Sequence, residues 1–236
     1  MRSTTEAPSA FASTFAATWR PPTLMPFHWH VFDIAAALPA GWDTELLDLA
    51  QHSAARHTFR PLMATAREDA DAEIPLETVN GEHLAADAPW LIELYTGWFR
   101  QLALQLTEEE LFITTTLNRA LSLNILRPDG TRYPCHVDSN PMQGLLYLTD
   151  LDPSTGGGLV VARDRNARTV ADVDADCGII YPHRGQLYFF DARAHAHYVE
   201  PLHSPVTRAV VTMNYYSPSC PESVRPAGLD EQLFNS

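Results

Sequence analysis

Two residues able to bind a metal ion stand one position apart near the middle of the chain, His136 and Asp138. Side chains alternate between the two faces of a β-strand, so residues at i and i+2 point to the same side and can reach one ion together. His197 supplies a third donor. Two imidazoles and one carboxylate form the facial triad that leaves positions open on non-heme Fe(II) for substrate and dioxygen. The residue types and spacing therefore indicate an iron site.

Arg208 follows His197 by eleven residues, a distance that suits a strand returning past the metal. On such a strand Arg208 shares a face with Val210, Thr212 and Asn214. A buried, unpaired guanidinium is costly, and its planar fork matches a carboxylate, so we expect a carboxylate partner. For Thr212 and Asn214, hydrogen bonding within the sheet is as well supported as contact with a substrate.

A lone His-x-Asp pair is a weak signal, but this pair stands in a longer pattern. Arg127, Gly130, Tyr133 and His136 follow one another at intervals of three residues, and Asp138 completes the stretch. The pattern resembles the prolyl-4-hydroxylase-like branch of the Fe(II)/2-oxoglutarate dioxygenases. The resemblance covers roughly residues 121–216, with a glycine-rich turn and a His-Tyr-Val-Glu-Pro-Leu segment after the motif.

The resemblance implies an α+β fold with a double-stranded β-helix (jelly-roll) core, braced by N-terminal helices. From residue 111 onward, turn residues separate short apolar or alternating runs, as a two-sheet jelly roll requires. We predict a flexible arm at residues 1–20 and a single domain over 21–236, with its catalytic core at about 111–218.

The resemblance also implies the chemistry. His136, Asp138 and His197 would hold Fe(II), 2-oxoglutarate would chelate the iron, and its distal carboxylate would pair with Arg208. Dioxygen is the other reactant, and hydroxylation of an unactivated C–H bond is the default outcome. Halogenating relatives usually have a small residue where Asp138 stands, which leaves room for halide.

Two further co-substrate contacts are expected from the resemblance. Arg127 stands where the family usually has a tyrosine that helps hold 2-oxoglutarate, so a guanidinium would replace that contact. Tyr133 is the aromatic residue of the motif. His195 shares strand parity with His197 and competes for the third ligand position, but the Val199-Glu200-Pro201 continuation and the spacing to Arg208 favour His197.

Composition restricts the partners. The formal net charge is −13, and no cluster of basic residues is available for phosphate contacts, so a nucleic-acid partner is not expected. No apolar run approaches the ~18–20 residues of a membrane span, and the N-terminus lacks a secretory signal, so we expect a cytoplasmic protein. The three cysteines form no metal-binding or disulfide pattern, and Cys135 should point away from the metal as a small buried residue.

The substrate is expected to be a small polar molecule, a free amino acid or a natural-product intermediate. Residues 56–86, interpreted as loops and a short helix, would surround the pocket mouth with Ser139, Asn140 and Asn214. Arg67 is a candidate for a substrate carboxylate, although surface ion pairing is the more common role of such arginines. A peptidyl or carrier-bound substrate is the alternative, and a non-catalytic jelly-roll sensor that keeps the metal is a further one.

Two helices are predicted before the core. Asp43 is a plausible cap for one that runs from Trp42 to about Ala54, and Asp87 for a longer one that runs to about Leu106. The apolar stripe of the longer helix should pack against the sheet.

Overall fold

The computed structural model describes residues 29–59, 65–68, 74–129 and 131–230. The predicted arm at residues 1–20 lies outside these ranges. The described strands are β1 (His30–Asp33), β2 (Ala55–Phe59), β3 (Ile74–Asn80), β4 (Leu121–Leu126), β5 (Tyr133–His136), β6 (Met142–Tyr147), β7 (Leu159–Ala162), β8 (Cys177–Ile180), β9 (Gln186–Phe190), β10 (His197–Val199) and β11 (Arg208–Tyr215).

The strands form two antiparallel sheets. The larger has the order β1-β9-β6-β11-β4-β3-β2, and the smaller has the order β5-β10-β7-β8. Strands far apart in the chain are neighbours, so the chain crosses repeatedly between the two sheets. This confirms the predicted jelly-roll core.

The space between the sheets holds one apolar cluster. The larger sheet contributes Leu145, Tyr147 and Phe190, and the smaller contributes Val161 and Ile180. The alternation of strand side chains produces this cluster, because every second residue of each strand turns inward. Cys135 turns the other way and is buried in a cluster outside the smaller sheet, as predicted.

The helices cover the outer face of the larger sheet. They are α1 (Trp42–Ser53), α2 (Gly81–Asp87), α3 (Pro89–Leu94), a π-helical segment (Tyr95–Phe99), α4 (Arg100–Leu104) and α5 (Leu117–Ala120), while α6 (Val170–Ala175) packs on the smaller sheet. Short 3-10 helices lie at Ala35–Ala37 and Glu222–Val224. Leu46, Leu91, Phe99 and Leu102 of the covering helices are fully buried against the sheet. The predicted bracing of the core by N-terminal helices is thus confirmed.

The predicted caps are wrong. Gly41, with φ 76°, precedes α1, and Asp43 lies inside its first turn, where it accepts a hydrogen bond from Arg184. Asp87 ends α2 instead of beginning the next helix, because α2 occupies the residues just before Pro89. Proline has no N–H to be capped at the first helical position, so α3 begins without a side-chain cap.

Residues 56–86 were interpreted as loops and a short helix; a short helix, α2, is present, but the loop interpretation is wrong for the described residues 56–59 and 74–80. Residues 55–59 and 74–80 pair as an antiparallel hairpin at the edge of the larger sheet, and α2 follows directly. Charged side chains are favoured on an edge strand such as β2, so its composition resembled that of a loop. Within the described ranges, no helix combines the length and apolar character needed to cross a bilayer.

Candidate iron and co-substrate site

Three metal-binding side chains meet at one end of the smaller sheet. His136 ends β5, Asp138 follows two residues later, and His197 begins β10 directly opposite His136 in the strand register. His136 Nε2 lies 3.3 Å from Asp138 Oδ1, and His197 Nε2 lies 3.9 Å from the same oxygen. One donor atom from each residue falls within 4.8 Å of the others.

Backbone carbonyls orient both imidazoles. His136 Nδ1 donates to the carbonyl of Pro134 at 2.7 Å, and His197 Nδ1 donates to the carbonyl of His195 at 2.9 Å. A carbonyl can only accept, so each Nδ1 carries the proton and each Nε2 presents a lone pair to the centre. The protein therefore fixes the ring orientation that metal binding needs.

The electrostatics of the cluster favour the ligand forms. Burial and the neighbouring His136 imidazole lower the pKa of His197 to about 4, so the ring is neutral at pH 7. For Asp138, burial raises the pKa, but the neighbouring His136 and His197 imidazoles outweigh it and bring the pKa below its usual range. Neutral imidazoles and an ionised carboxylate are the species that bind a metal.

The donor set fits an Fe(II) ion. Donors at ~2.1 Å from an ion and at right angles to each other lie about 3 Å apart, close to the shorter observed separation. Two nitrogens and one oxygen on one side of an ion leave the opposite positions open. His195 is not part of this cluster among the described residues, and its Nδ1 is hydrogen-bonded to the carbonyl of Ala162. The structure thus favours His197 as the third ligand.

Arg208 is buried at the start of β11, with 5% of its surface exposed. Its Nε donates to the Gly157 carbonyl at 3.0 Å, and its Nη2 donates to the Tyr147 hydroxyl at 3.3 Å. Its guanidinium carbon also lies 5.3 Å from the centre of the Tyr147 ring. No acidic side chain of the described residues pairs with it within 4.0 Å. The arrangement leaves this charge available to a bound carboxylate.

Tyr147 was not predicted to lie at the site, although the alternation of strand side chains places it there. Tyr147 lies two residues after Leu145, which lines the cavity, and therefore turns toward the same face. Tyr133 was predicted and lies beside the metal cluster, with its ring centre 4.9 Å from that of His136.

Arg127 does not contact the site, and that prediction is wrong. Its guanidinium pairs with Glu77, with a shortest distance of 2.5 Å. Ser122 and Asn124 of β4 line the cavity, so Arg127, at odd separation from both, continues the opposite face of the strand. The residue that stands at the tyrosine position of the motif thus belongs to an ion pair outside the cavity.

A cavity of about 180 Å³ opens between the sheets above the metal cluster. Ser139, Asn140 and Asn214 line it, as predicted. Arg67 does not, because its backbone pairs with Cys135, whose side chain faces away from the metal. The metal ligands, Arg208 and Tyr133 line the cavity too. The other lining residues are Thr65, Leu76, Thr78, Asn118, Ser122, Asn124, Pro134, Val137, Gln143, Leu145, Leu159, Phe190, Val199, Val210, Thr212, Arg225 and Leu229.

The segment after β11 contributes a wall that the sequence did not reveal. Arg225 and Leu229 line the cavity from this segment. Arg225 Nη1 donates to Ser139 Oγ at 3.3 Å, and its Nη2 contacts Asp230 Oδ1 at 2.6 Å. No motif or periodicity marks these positions, because the tertiary course of the segment alone brings them to the site.

Comparison with known proteins agrees with this geometry. Residues 121–216 match the sequence model of the 2OG-Fe(II) oxygenase superfamily. No curated protein matches the chain. AviO1 from Streptomyces viridochromogenes Tue57 has a similar structure, with a TM-score of 0.58 at 17% identity over 82% of this chain and 91% of AviO1.

Two further structures share the fold. The non-heme alpha ketoglutarate dependent epimerase SnoN from nogalamycin biosynthesis gives a TM-score of 0.57 at 16% identity, over 92% of this chain and 89% of SnoN. A structure of prolyl 4-hydroxylases from Phytophthora capsici gives 0.56 at 20%, over 88% of this chain and 66% of that one. The core of the chain, residues 121–216, is thus similar in sequence to the 2OG-Fe(II) oxygenase superfamily, whose members use Fe(II), 2-oxoglutarate and dioxygen.

Proposed function

We propose that the protein hydroxylates an unactivated C–H bond of a small polar metabolite, with His136, Asp138 and His197 as the Fe(II) ligands and Arg208 as the anchor of 2-oxoglutarate. One observation carries the proposal. The three proposed ligands and a buried arginine, which has no acidic partner among the described residues, line the same cavity. If Arg208 had only a structural role, an acidic side chain would be expected to form an ion pair with it.

Each residue has a defined task in this reaction. Fe(II), when bound, supplies the activation of dioxygen. The Pro134 and His195 carbonyls hold the two imidazoles with Nε2 toward the centre. Arg208 holds the distal carboxylate of 2-oxoglutarate and so fixes the orientation of its 2-oxo acid end. Tyr133 packs beside the His136 ring and limits the space around the ligands.

Apolar side chains exclude water from the co-substrate end of the cavity. They are Leu145, Leu159, Phe190, Val199 and Val210. In a site without bulk water the charge of Arg208 acts more strongly, and side reactions are suppressed. In the overall balance, 2-oxoglutarate, dioxygen and R–H give succinate, carbon dioxide and R–OH. Asp138 occupies the ligand position that halide would need, which supports hydroxylation over halogenation.

The size and lining of the cavity support a small polar substrate. Free amino acids and natural-product intermediates both meet this description, and SnoN acts within nogalamycin biosynthesis. A peptidyl or carrier-bound substrate is the second candidate, favoured by the fold shared with prolyl 4-hydroxylases. A metal-binding sensor without turnover has less support, because a sensor does not need a co-substrate anchor such as Arg208.

The test is succinate formation from 2-oxoglutarate by the purified protein with Fe(II), in the presence of candidate metabolites. We expect turnover that requires iron and that Asp138→Ala abolishes. His183→Ala is the matched control, because the His183 side chain is 58% exposed and is not part of the metal cluster. Turnover that survives Asp138→Ala, or that needs no iron, would reject the proposed function.

A further inference from the structure

We infer that the substrate is an uncharged molecule rich in hydroxyl groups, such as a glycoside or a cyclitol. This inference rests on the proposed function and narrows it to one substrate class. It depends on the wall of the cavity formed by β3, β4 and β11, which we call the polar wall. Its members are Thr78, Ser122, Asn124, Thr212 and Asn214.

The polar wall is one continuous surface. Thr78 is opposite Asn124 in the register of β3 and β4, and Ser122 is opposite Thr212 in that of β4 and β11. Residues opposite each other on neighbouring antiparallel strands face the same side of the sheet. Three adjacent strands therefore present hydroxyl and amide groups together, where an ordinary sheet interior would be apolar.

Side chains of the polar wall hydrogen-bond to each other, yet some of their donors and acceptors remain available to a ligand. Ser122 Oγ and Thr212 Oγ1 are 2.7 Å apart, and Asn124 Nδ2 donates to Thr212 Oγ1 at 3.3 Å. The Thr78 hydroxyl makes no hydrogen bond to any described residue. Asn214 donates its amide to the Arg119 carbonyl at 2.7 Å, which leaves its side-chain oxygen as an acceptor. Free donors and acceptors together match hydroxyl groups, since each hydroxyl both donates and accepts.

Each charged side chain that lines the cavity, among the described residues, already has a partner or an assigned role. Among the described lining residues other than histidine, only Asp138, Arg208 and Arg225 are charged. Asp138 belongs to the metal cluster, and Arg208 is assigned to 2-oxoglutarate. Arg225 pairs with Asp230 at 2.6 Å, and this pair extends into a balanced group of two arginines and two acids through Arg119 and Glu222.

This charge balance distinguishes two candidate substrates. Among the described lining residues, no uncommitted carboxylate is available to pair with the ammonium of a free amino acid, and burial of an unpaired charge is costly. A neutral polyol carries no such penalty and can satisfy the wall with its hydroxyls. Leu76 and Leu229 also line the cavity, and they can cover the C–H face of a sugar or cyclitol ring. The polar wall therefore selects hydroxyl groups over charge.

Ligand-observed saturation-transfer NMR tests the inference on the full chain with Fe(II) and 2-oxoglutarate under argon, where no turnover occurs. The probes are methyl α-D-glucopyranoside and myo-inositol, compared with L-proline, L-leucine and L-lysine. We expect saturation transfer to the two polyols and none to the amino acids. Transfer to the amino acids alone, or to none of the five probes, would overturn the inference.

A pair of threonine variants locates the binding. Thr78→Val removes a cavity hydroxyl, whereas Thr96→Val changes an exposed threonine on the helical layer. We expect Thr78→Val to weaken polyol binding by about three- to tenfold, the value of one lost hydrogen bond, with unchanged melting temperature, and Thr96→Val to bind like the parent. Equal affinities in both variants would contradict the inference.

The same samples show whether the assignment of the substrate class fails or the proposed function fails. A 2-oxo acid chelated to Fe(II) gives a visible charge-transfer absorption, which reports the iron and co-substrate site alone. If that absorption is absent while the polyols still bind, the proposed function fails and the polar wall stands. If the absorption is present and the polyols do not bind, the assignment of the substrate class fails.

Discussion

Arg208 begins β11 and Arg127 directly follows the neighbouring strand β4, but the two arginines have different partners. Leu126 is opposite Arg208 in the register of β4 and β11, so Arg127 stands one residue beyond that pair and on the other face. Arg127 is neutralised by Glu77, whereas Arg208 keeps its charge for the cavity. A shift of one residue along the strand thus separates an ion pair outside the cavity from the proposed co-substrate anchor.

Replacement of Arg208 by alanine should raise the KM for 2-oxoglutarate by about 10- to 100-fold, the value of hydrogen bonds to a charged group. Fe(II) binding should persist, since the metal ligands are untouched. Steady-state kinetics with varied 2-oxoglutarate measure the effect, and Arg127→Ala is the control that should leave the KM near that of the parent. A raised KM in the Arg127 variant would contradict the assignment of the anchor to Arg208.

Cys135 should resist alkylation in the folded protein. Burial raises the pKa of its thiol to about 11, and only 1% of its surface is exposed. The reactive species is the thiolate, so a raised pKa keeps the residue in its unreactive form at pH 8. Iodoacetamide labelling followed by peptide mass spectrometry should show Cys135 modified in urea and protected in buffer. Equal labelling in both conditions would contradict the burial.

At the scale of elements, the glycine-rich turn before β7 supports the anchor. Gly157 has φ 76°, and its carbonyl accepts the hydrogen bond from Arg208 Nε. A Cβ at this position would lie 2.8 Å from both Leu151 Cδ1 and Leu202 Cδ2. A side chain at this position would force these two leucine side chains to shift, and the backbone conformation favours glycine.

Gly157→Ala should lower the free energy of unfolding by about 2–4 kcal/mol and raise the KM for 2-oxoglutarate. Gly41→Ala is a matched control, because Gly41 has the same φ of 76° but open space around its Cα. In Gly41→Ala, the free energy of unfolding should fall only by the cost of the backbone conformation, about 1–2 kcal/mol, and the KM should be unchanged. Urea denaturation and steady-state kinetics check both variants, and equal losses would show that the packing around Gly157 has no effect.

Strand parity also explains how far the sequence could predict the elements. The motif and the alternation of β11 predicted the metal ligands and Arg208, because short-range spacing decides which face a strand residue occupies. The strands β2 and β3 were missed, and Asp87 was expected to begin the longer helix although it ends α2. An edge strand with charged residues lacks the apolar alternation of a half-buried strand. The apolar spacing of the longer predicted helix continues across the break at Ala88, so it does not show where α2 ends and α3 begins.

At the scale of the whole molecule, the jelly roll has helices on one side and the cavity on the other side of its larger sheet. Long-range contacts, such as the approach of Arg225 to Ser139, follow from this arrangement and from no local pattern. The sequence therefore predicted the fold class and the residues that form the His-Asp-His cluster, while the C-terminal wall of the cavity is evident only in the structure.

The helical layer should contribute strongly to stability. Leu102 is fully buried against the sheet, whereas Leu117 is 38% exposed. Leu102→Ala should lower the free energy of unfolding by about 2–5 kcal/mol, because it leaves a cavity in a packed core. Leu117→Ala should change it by about 0.5 kcal/mol or less. Chemical denaturation monitored by circular dichroism measures both, and a small effect of Leu102→Ala would mean that the layer contributes little to global stability.

If Arg208, which has no acidic partner among the described residues, binds 2-oxoglutarate as proposed, the stability of the fold depends on the concentration of this metabolite. A ligand that binds only the folded state stabilises it, by about 2.7 kcal/mol at a hundredfold excess over its Kd. Added 2-oxoglutarate should therefore raise the melting temperature of the parent, which differential scanning fluorimetry can follow. Arg208→Met should melt higher than the parent without the ligand, since it removes a buried charge, and should respond less to it. The folded fraction of this protein then rises and falls with the concentration of its own co-substrate.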